Sequence, residues 1–438
     1  MRVRLVTLGC SKNRVDSEHL LRQLSASGIE IASDGDFSRD HKVDAIILNT
    51  CGFVKDAKQE SIDAILAAVE EKERGVTDKV LVFGCLSQRY GDELRDSIPE
   101  VDGFYGAFDQ ESVVSALGKK YNSSLSNLRY LTTPKHYAYL KISEGCDRGC
   151  AFCSIPLIRG VHKSVPMEAL VEEAVSLAES GVKELIVVAQ DTTYYGVDLY
   201  KKRMITDLLR RLTEIKGIEW IRLHYSYPAA FPEDLLELMA SEPKICKYLD
   251  IPLQHISDRV LDKMRRNITG DETRRIVEKF RKLVPGIALR TTMIVGHPGE
   301  DSKAFEELLS FVKESRFERL GAFTYSKEEG TFGALNYRDY IPQSIKDERF
   351  ARLMELQSTI SFEYNSSRIG TIERVMIDSF DGKVYTARSQ KESPEVDGEI
   401  LIGADSLKTD INSKNIIGTF ANVIIDNADE YDLLARFV

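Results

Sequence analysis

Cys146, Cys150 and Cys153 fall within a single run, Cys-Asp-Arg-Gly-Cys-Ala-Phe-Cys. A tetrahedral zinc site asks for four ligands, usually as two pairs of Cys or His. This run supplies three thiols, and no partner pair follows it. Three thiolates on a tight loop suit a four-iron cluster instead, with three irons held and the fourth open to a substrate or cofactor. A zinc-stabilised loop is the alternative. The other cysteines are Cys10, Cys51, Cys85 and Cys246. An odd total of seven in a chain of 438 residues points to a reducing compartment rather than a disulfide framework.

The elements that must carry these thiols can be read from periodicity. Residues 2–9, 44–50 and 79–84 are short apolar, β-branched runs, and helical patterns at 16–27 and 56–74 lie between them. Asp16 reads as the N-cap of the first helix. Alternation of this kind predicts an open parallel sheet with helices on both faces. Cys10, Cys51 and Cys85 then each lie just past the carboxyl end of a strand, on the edge where parallel sheets bind ligands. Three thiols meeting there would form a second cluster site; buried cysteines that happen to end strands are the alternative.

A polar stretch at 121–135 reads as a linker. Six further strand candidates follow at 138–143, 184–189, 220–225, 248–252, 288–295 and 320–325, with helical segments between them. They predict a partial or complete (β/α) barrel, with chemistry at the carboxyl ends of its strands. The cysteine run follows the first of these strands. Gln190 with Asp191 ends the second, and Gln254 with His255 ends the fourth; Arg290 starts the fifth. A long helix at 346–367 precedes 68 residues of short alternating runs broken by Asp-Gly and Gly turns. These predict a small antiparallel barrel of OB-like size. Cys246 and Trp220 read as core residues.

With these residues in place the chain resembles the methylthiotransferase family of radical S-adenosylmethionine (SAM) enzymes, and most of all its ribosomal-protein branch. The resemblance rests on Thr7-Leu-Gly-Cys-Ser-Lys-Asn-Arg-Val-Asp-Ser-Glu18, on Asn49-Thr-Cys-Gly-Phe53 with Ala57-Lys-Gln-Glu-Ser61, and on Gly84-Cys-Leu-Ser-Gln-Arg-Tyr90. It also rests on Ile142-Ser-Glu-Gly-Cys-Asp-Arg-Gly-Cys-Ala-Phe-Cys-Ser-Ile-Pro156. It implies an α/β protein of three parts: an N-terminal methylthiotransferase domain (1–120), a radical SAM core (136–366) and a TRAM domain (367–438). By the same resemblance Cys146, Cys150 and Cys153 hold the radical SAM 4Fe–4S cluster, and Cys10, Cys51 and Cys85 hold an auxiliary 4Fe–4S cluster. Gln190, Gln254 and Arg290 are the candidate SAM contacts. The family often has Ser-Arg shortly after Arg159-Gly160; this chain has His162-Lys163 there, so no arginine contact is assigned to that position.

Sulfur insertion at an unactivated carbon–hydrogen bond is beyond acid–base side chains, and a cofactor must carry the radical. The resemblance implies that one cluster reductively splits SAM, that the other presents sulfur, and that an electron-donor protein supplies the electron. Its ribosomal-protein branch acts on the β-carbon of an aspartate in small-subunit ribosomal protein twelve; the other branch methylthiolates adenosine in transfer RNA.

Charge bears on that choice. The chain carries 59 basic and 69 acidic residues, a net charge of -10. Thirteen acidic and seven basic residues fall in the last 68. A barrel that grips RNA should be basic. This one is acidic, with Glu392, Glu395, Asp397 and Glu399 close together, and the expectation is a docking face for a basic ribosomal protein, with transfer RNA disfavoured. With 43% apolar and 29% charged residues the chain is ordinary for a globular protein. No apolar run reaches the ~18 residues a membrane helix needs, and the first strand is too short an apolar stretch for a signal peptide. The expected location is therefore cytoplasmic.

Overall fold

A computed structural model describes residues 1–32, 42–406 and 416–438. These residues form two compact units, Met1–Thr132 with Tyr139–Ser176 and Glu328–Leu335, and Thr133–Ala138 with Leu177–Lys327 and Asn336–Val438.

The first unit is built on a five-stranded parallel sheet of β1 (Arg2–Thr7), β2 (Glu30–Ile31), β3 (Val43–Thr50), β4 (Thr77–Gly84) and β5 (Gly103–Phe104), in the order β2-β1-β3-β4-β5. Two of these strands, β2 and β5, are too short to show as apolar runs. Side chains alternate along β3. Ala45 and Ile47 pack with Leu20, Leu24 and Val113 from α1 (Ser11–Ala26) and α4 (Gln110–Ala116). Ile46 and Leu48 pack with Ile65 and Leu86 from α2 (Lys55–Glu73) and α3 (Cys85–Ser97). Both faces are covered, which is why the strand reads as an unbroken apolar run.

Asp16 is not an N-cap. Helix α1 begins five residues earlier, with Cys10 at its cap position, and Asp16 lies inside it with its carboxylate buried against Lys141 and Arg159. The polar stretch before the second strand series is also tied down. Arg129 there is buried between Glu18 and Glu173.

In the second unit the parallel strands β9 (Glu184–Val188), β10 (Trp220–Leu223), β11 (Ile245–Asp250), β12 (Ala288–Val295) and β13 (Arg319–Thr324) follow one another in register. His136 accepts backbone bonds from Lys183 and Glu184. The strand it opens, β6 (Tyr137–Lys141), is thereby the sixth of the sheet, beside β9. The last strands close a five-stranded barrel, β14 (Ile372–Phe380), β15 (Val384–Arg388), β16 (Ile400–Gly403), β18 (Leu433–Phe437) and β17 (Phe420–Ala428), in that spatial order. It is not wholly antiparallel, because β16 and β18 run parallel. An odd number of strands in a closed ring cannot alternate direction all the way round.

Trp220, Cys246, Tyr248 and Ala288 of the sheet form a common core with Met376, and Phe420 packs against it. Cys246 is fully buried, and burial pushes its thiol up to about 12, as suits an inert packing group.

The acidic run of the small barrel is not the expected free docking face. Glu392 is 1% exposed and pairs with Arg319 and Arg368, while Ser389 adds backbone and hydroxyl donors. Asp397 accepts from the Tyr248 hydroxyl and pairs with Arg290. The Tyr137 hydroxyl donates to Glu395. Of the four residues only Glu395 and Glu399 are exposed. The charges had partners on distant strands that a local count does not include.

Burial raises the Glu392 carboxyl, but the charges of Arg368 and Arg319 outweigh it and hold the group well below the usual carboxylate range. A depressed carboxylate contributes stability that is present above its unfolded value of about 4.3 and lost as pH falls through the folded one. Glu392→Gln should therefore cost about 3–5 kcal/mol at neutral pH, by leaving two buried guanidinium groups short of a counter-charge. Denaturant titrations across pH should show the gap from the parent protein steady above about pH 5 and narrowing below about pH 4.

Candidate active site

The carboxyl edge of the first sheet gathers Cys10, Cys51 and Cys85. Cys51 follows β3 directly, Cys85 opens α3 directly after β4, and Cys10 caps α1. Their backbones meet closely. A Cβ on Gly9 would stand 2.7 Å from that of Cys51, and one on Gly52 would stand 2.9 Å from the Cys85 carbonyl. Asn13 and Asn49 fasten the edge. The Asn13 amide donates to the carbonyls of Leu8 and Thr50, and the Asn49 amide donates to the Asn13 carbonyl and the Ser17 hydroxyl. The Cys51 amide donates to the Ser61 hydroxyl at 3.0 Å.

Burial pushes the Cys51 thiol up to about 11, with Cys10 and Cys85 adding to the rise. Burial raises Cys85 too, against the pull of the Arg159 guanidinium. The raised Cys51 and Cys85 thiols favour the protonated form.

Cys146, Cys150 and Cys153 lie in the same unit, each half-buried. Two short strands, β7 (Ser143–Glu144) and β8 (Lys163–Ser164), pair at the base of their loop. The Cys146 amide donates to the Gly160 carbonyl, the Cys153 amide to that of Cys150, and the His162 amide to the Asp147 carboxylate. Gly145 is indispensable to this turn. Its φ is +73°, and a Cβ there would stand 2.1 Å from the Val161 carbonyl oxygen.

The loop reaches the first cysteine group through three contacts. Buried Ser154, next to Cys153, donates to the carbonyl of Phe53, two residues past Cys51. Arg159, at the end of α5 (Ile155–Arg159), donates to the Cys85 sulfur. The segment Glu328–Leu335 joins both sides: Arg89 donates to the Gly52 and Glu329 carbonyls, and Gly333 donates to the Ala151 carbonyl. Asn13, Ser154 and Arg159 stand in or beside the quoted motifs but are given no role there, and this segment is not singled out by sequence. Asn13 alone carried a signal, lying three residues after Cys10.

Among the described residues no three His, Cys, Asp or Glu side chains converge as a single metal ion would require. The donors on offer are two sets of three thiols, soft ligands of the kind that hold iron–sulfur clusters.

In the second unit, Gln190 and Gln254 lie just past the carboxyl ends of β9 and β11. Gln254 has a φ of +73° and bridges to Met293. Arg290 is the third residue of β12 rather than its start. Its guanidinium is committed to Asp250 at 3.1 Å and to Asp397 at 3.4 Å.

These features define a class, and comparison with known proteins agrees. The model of the radical SAM superfamily matches residues 140–312, that of an uncharacterized protein family, UPF0004, residues 2–106, and that of the TRAM domain residues 369–438. Over 76% of its length the chain shares a fold with the radical SAM methyltransferase TsrM of Kitasatospora setae (77% of that chain, TM-score 0.56, 14% identity). Full-length likeness goes further. Ribosomal protein uS12 methylthiotransferase RimO of Bacteroides fragilis is 51% identical over 99% of this chain and 98% of its own length. That of Porphyromonas gingivalis is 50% identical over 100% and 99%. The chain belongs to the RimO family of radical SAM methylthiotransferases.

Gly84 has a φ of +107°, and a Cβ there would fall 2.4 Å from the Asn49 side-chain oxygen and 2.7 Å from the Thr50 carbonyl. Gly84→Ala should destabilise the first unit by about 1–3 kcal/mol. It should also displace Cys85, and a loss of iron from reconstituted protein would mark that cysteine as a ligand. Iron analysis beside a thermal melt reads both effects.

Proposed function

We infer that this chain is a radical SAM enzyme that transfers a methylthio group to the β-carbon of an aspartate in ribosomal protein uS12. Identity of about half over the whole length of the uS12 enzymes carries the reading. The placement of both cysteine groups in one compact unit supports it.

Cys146, Cys150 and Cys153 are assigned to the radical SAM cluster, and Cys10, Cys51 and Cys85 to the auxiliary one. Bound there, the clusters and SAM supply one-electron chemistry and a transferable sulfur that no side chain of the chain has. The residues themselves do the positioning. Gly145 and the β7–β8 pair shape one loop, while Asn13, Asn49 and Ser61 fix the other edge. Gln190 and Gln254 are assigned as SAM contacts. Arg290 is a weaker assignment, since two carboxylates already hold it. By sequence the parts are 1–120, a linker at 121–135, 136–366 and 367–438. An electron-donor protein and a basic ribosomal partner follow from the reaction. The described residues contain no helix long and apolar enough to cross a membrane, and a reducing cytoplasm suits oxygen-labile clusters.

The test is anaerobic incubation with SAM, reductant and purified uS12, with transfer RNA offered in a parallel reaction. Methylthio-aspartate in the protein supports the assignment; modified adenosine with unmodified uS12 overturns it. Replacing Cys146, Cys150 and Cys153 together with alanine should leave about half the iron and abolish SAM cleavage. Replacing Cys10, Cys51 and Cys85 should leave the other half and keep cleavage while ending sulfur transfer. Full iron in either variant refutes the ligand assignment.

A further inference from the structure

Arg159 touches a thiol of the N-terminal group, that of Cys85, and it is delivered by the other group's loop. Its side chain is 2% exposed. All five of its N–H donors meet acceptors. Nε donates to the Cys85 sulfur at 3.2 Å and Nη2 donates to the same sulfur at 3.1 Å. Nη2 also donates to the Asn13 side-chain oxygen at 2.7 Å. Nη1 donates to Asp16 at 2.9 Å and to Glu144 at 3.1 Å. Lys141 pairs with the same two carboxylates, so the guanidinium stands in a frame of fixed charges. The Phe108 ring lies 5.7 Å from it.

This arrangement is more than structural support needs. A guanidinium neutralised by Asp16 and Glu144 is already satisfied electrostatically. The fork turned on sulfur is a separate commitment, and only the planar, rigid shape of arginine allows both. A charged donor on a ligand sulfur favours the more negative, reduced state of whatever that sulfur holds, and so raises its potential.

We propose that Arg159 is a positioning residue of the auxiliary centre: it fixes the Cys85 sulfur and sets the auxiliary cluster's reduction potential through its paired hydrogen bonds. It also links the two centres mechanically, because it sits six residues after Cys153 on the helix that leaves the radical SAM loop. The proposal rests on Cys10, Cys51 and Cys85 holding the auxiliary cluster.

The experiment uses full-length protein carrying Cys146→Ala, Cys150→Ala and Cys153→Ala, reconstituted anaerobically so that the auxiliary cluster alone gives the reduced paramagnetic signal. Its midpoint potential is read by redox titration, with and without Arg159→Gln. A parallel sample with nitrogen-15-labelled arginine is read by pulsed electron paramagnetic resonance for coupling between the cluster and a guanidinium nitrogen. The expected result is a more negative potential in Arg159→Gln, a smaller shift in Arg159→Lys, and a nitrogen coupling that disappears with the arginine. An unchanged potential, or a coupling that persists in Arg159→Gln, overturns the proposal. If Arg159→Gln does not fold, Arg159→Gln with Asp16→Asn removes the matched charges together and is read in the same way. Failure of the parent triple variant to hold any cluster would be a different result: it would refute the ligand assignment itself and the proposal with it.

Discussion

Sulfur that must carry negative charge inside a protein needs positive charge brought to it. The carboxyl edge of the first sheet offers apolar strands, neighbouring thiols and little water, all of which favour the protonated form of Cys51 and Cys85. Arg159 brings positive charge to the Cys85 sulfur in the protein itself. Bringing that arginine into place requires the loop that holds the other three thiols, and that loop requires Gly145 and the β7–β8 pairing. The two centres are consequently solutions to one electrostatic problem. Each is shaped by elements the other supplies.

The second unit meets the same constraint with side chains alone. Glu184 is buried between Arg222 and Arg388, Glu392 between Arg319 and Arg368, and Asp250 is met by Arg290. Such pairs contribute little net stability against an apolar core of equal volume, but breaking one is costly. Their effect here is to specify which face of the small barrel meets which strands, because every misplacement would strand a buried charge.

Much of this was legible in the chain. Strand periodicity located the three separated cysteines, since a parallel sheet sends all its carboxyl ends to one edge. Six strands of the second series were readable for the same reason. The short strands β2 and β5 were not, having two residues each and no period to show. Arg159 was invisible because its sulfur partner lies 74 positions earlier, and a basic residue at the end of a helix has an ordinary local explanation. Asp16 misled in the same way: an acidic residue ahead of a leucine pattern resembles a cap, and only Lys141 and Arg159 show otherwise. The acidic run at 392–399 was read from its own charges, whereas its burial is decided by Arg290, Arg319 and Arg368. Local sequence carries the sign of a charge but not the address of its partner.

The distances along the chain between these partners set a timetable for synthesis. Glu184 waits 204 residues for Arg388, and Arg222 waits 168 for the carbonyl of Gln390. Arg89 meets the carbonyl of Glu329 across 240. A chain emerging from the ribosome can pair β1, β3 and β4 early, but neither unit can be completed until its late segments have been made. Glu184 and Arg222 therefore stay open to solvent until those segments arrive. The two cysteine groups face the same delay: until Glu328–Leu335 arrives, they lack the segment that joins their loops.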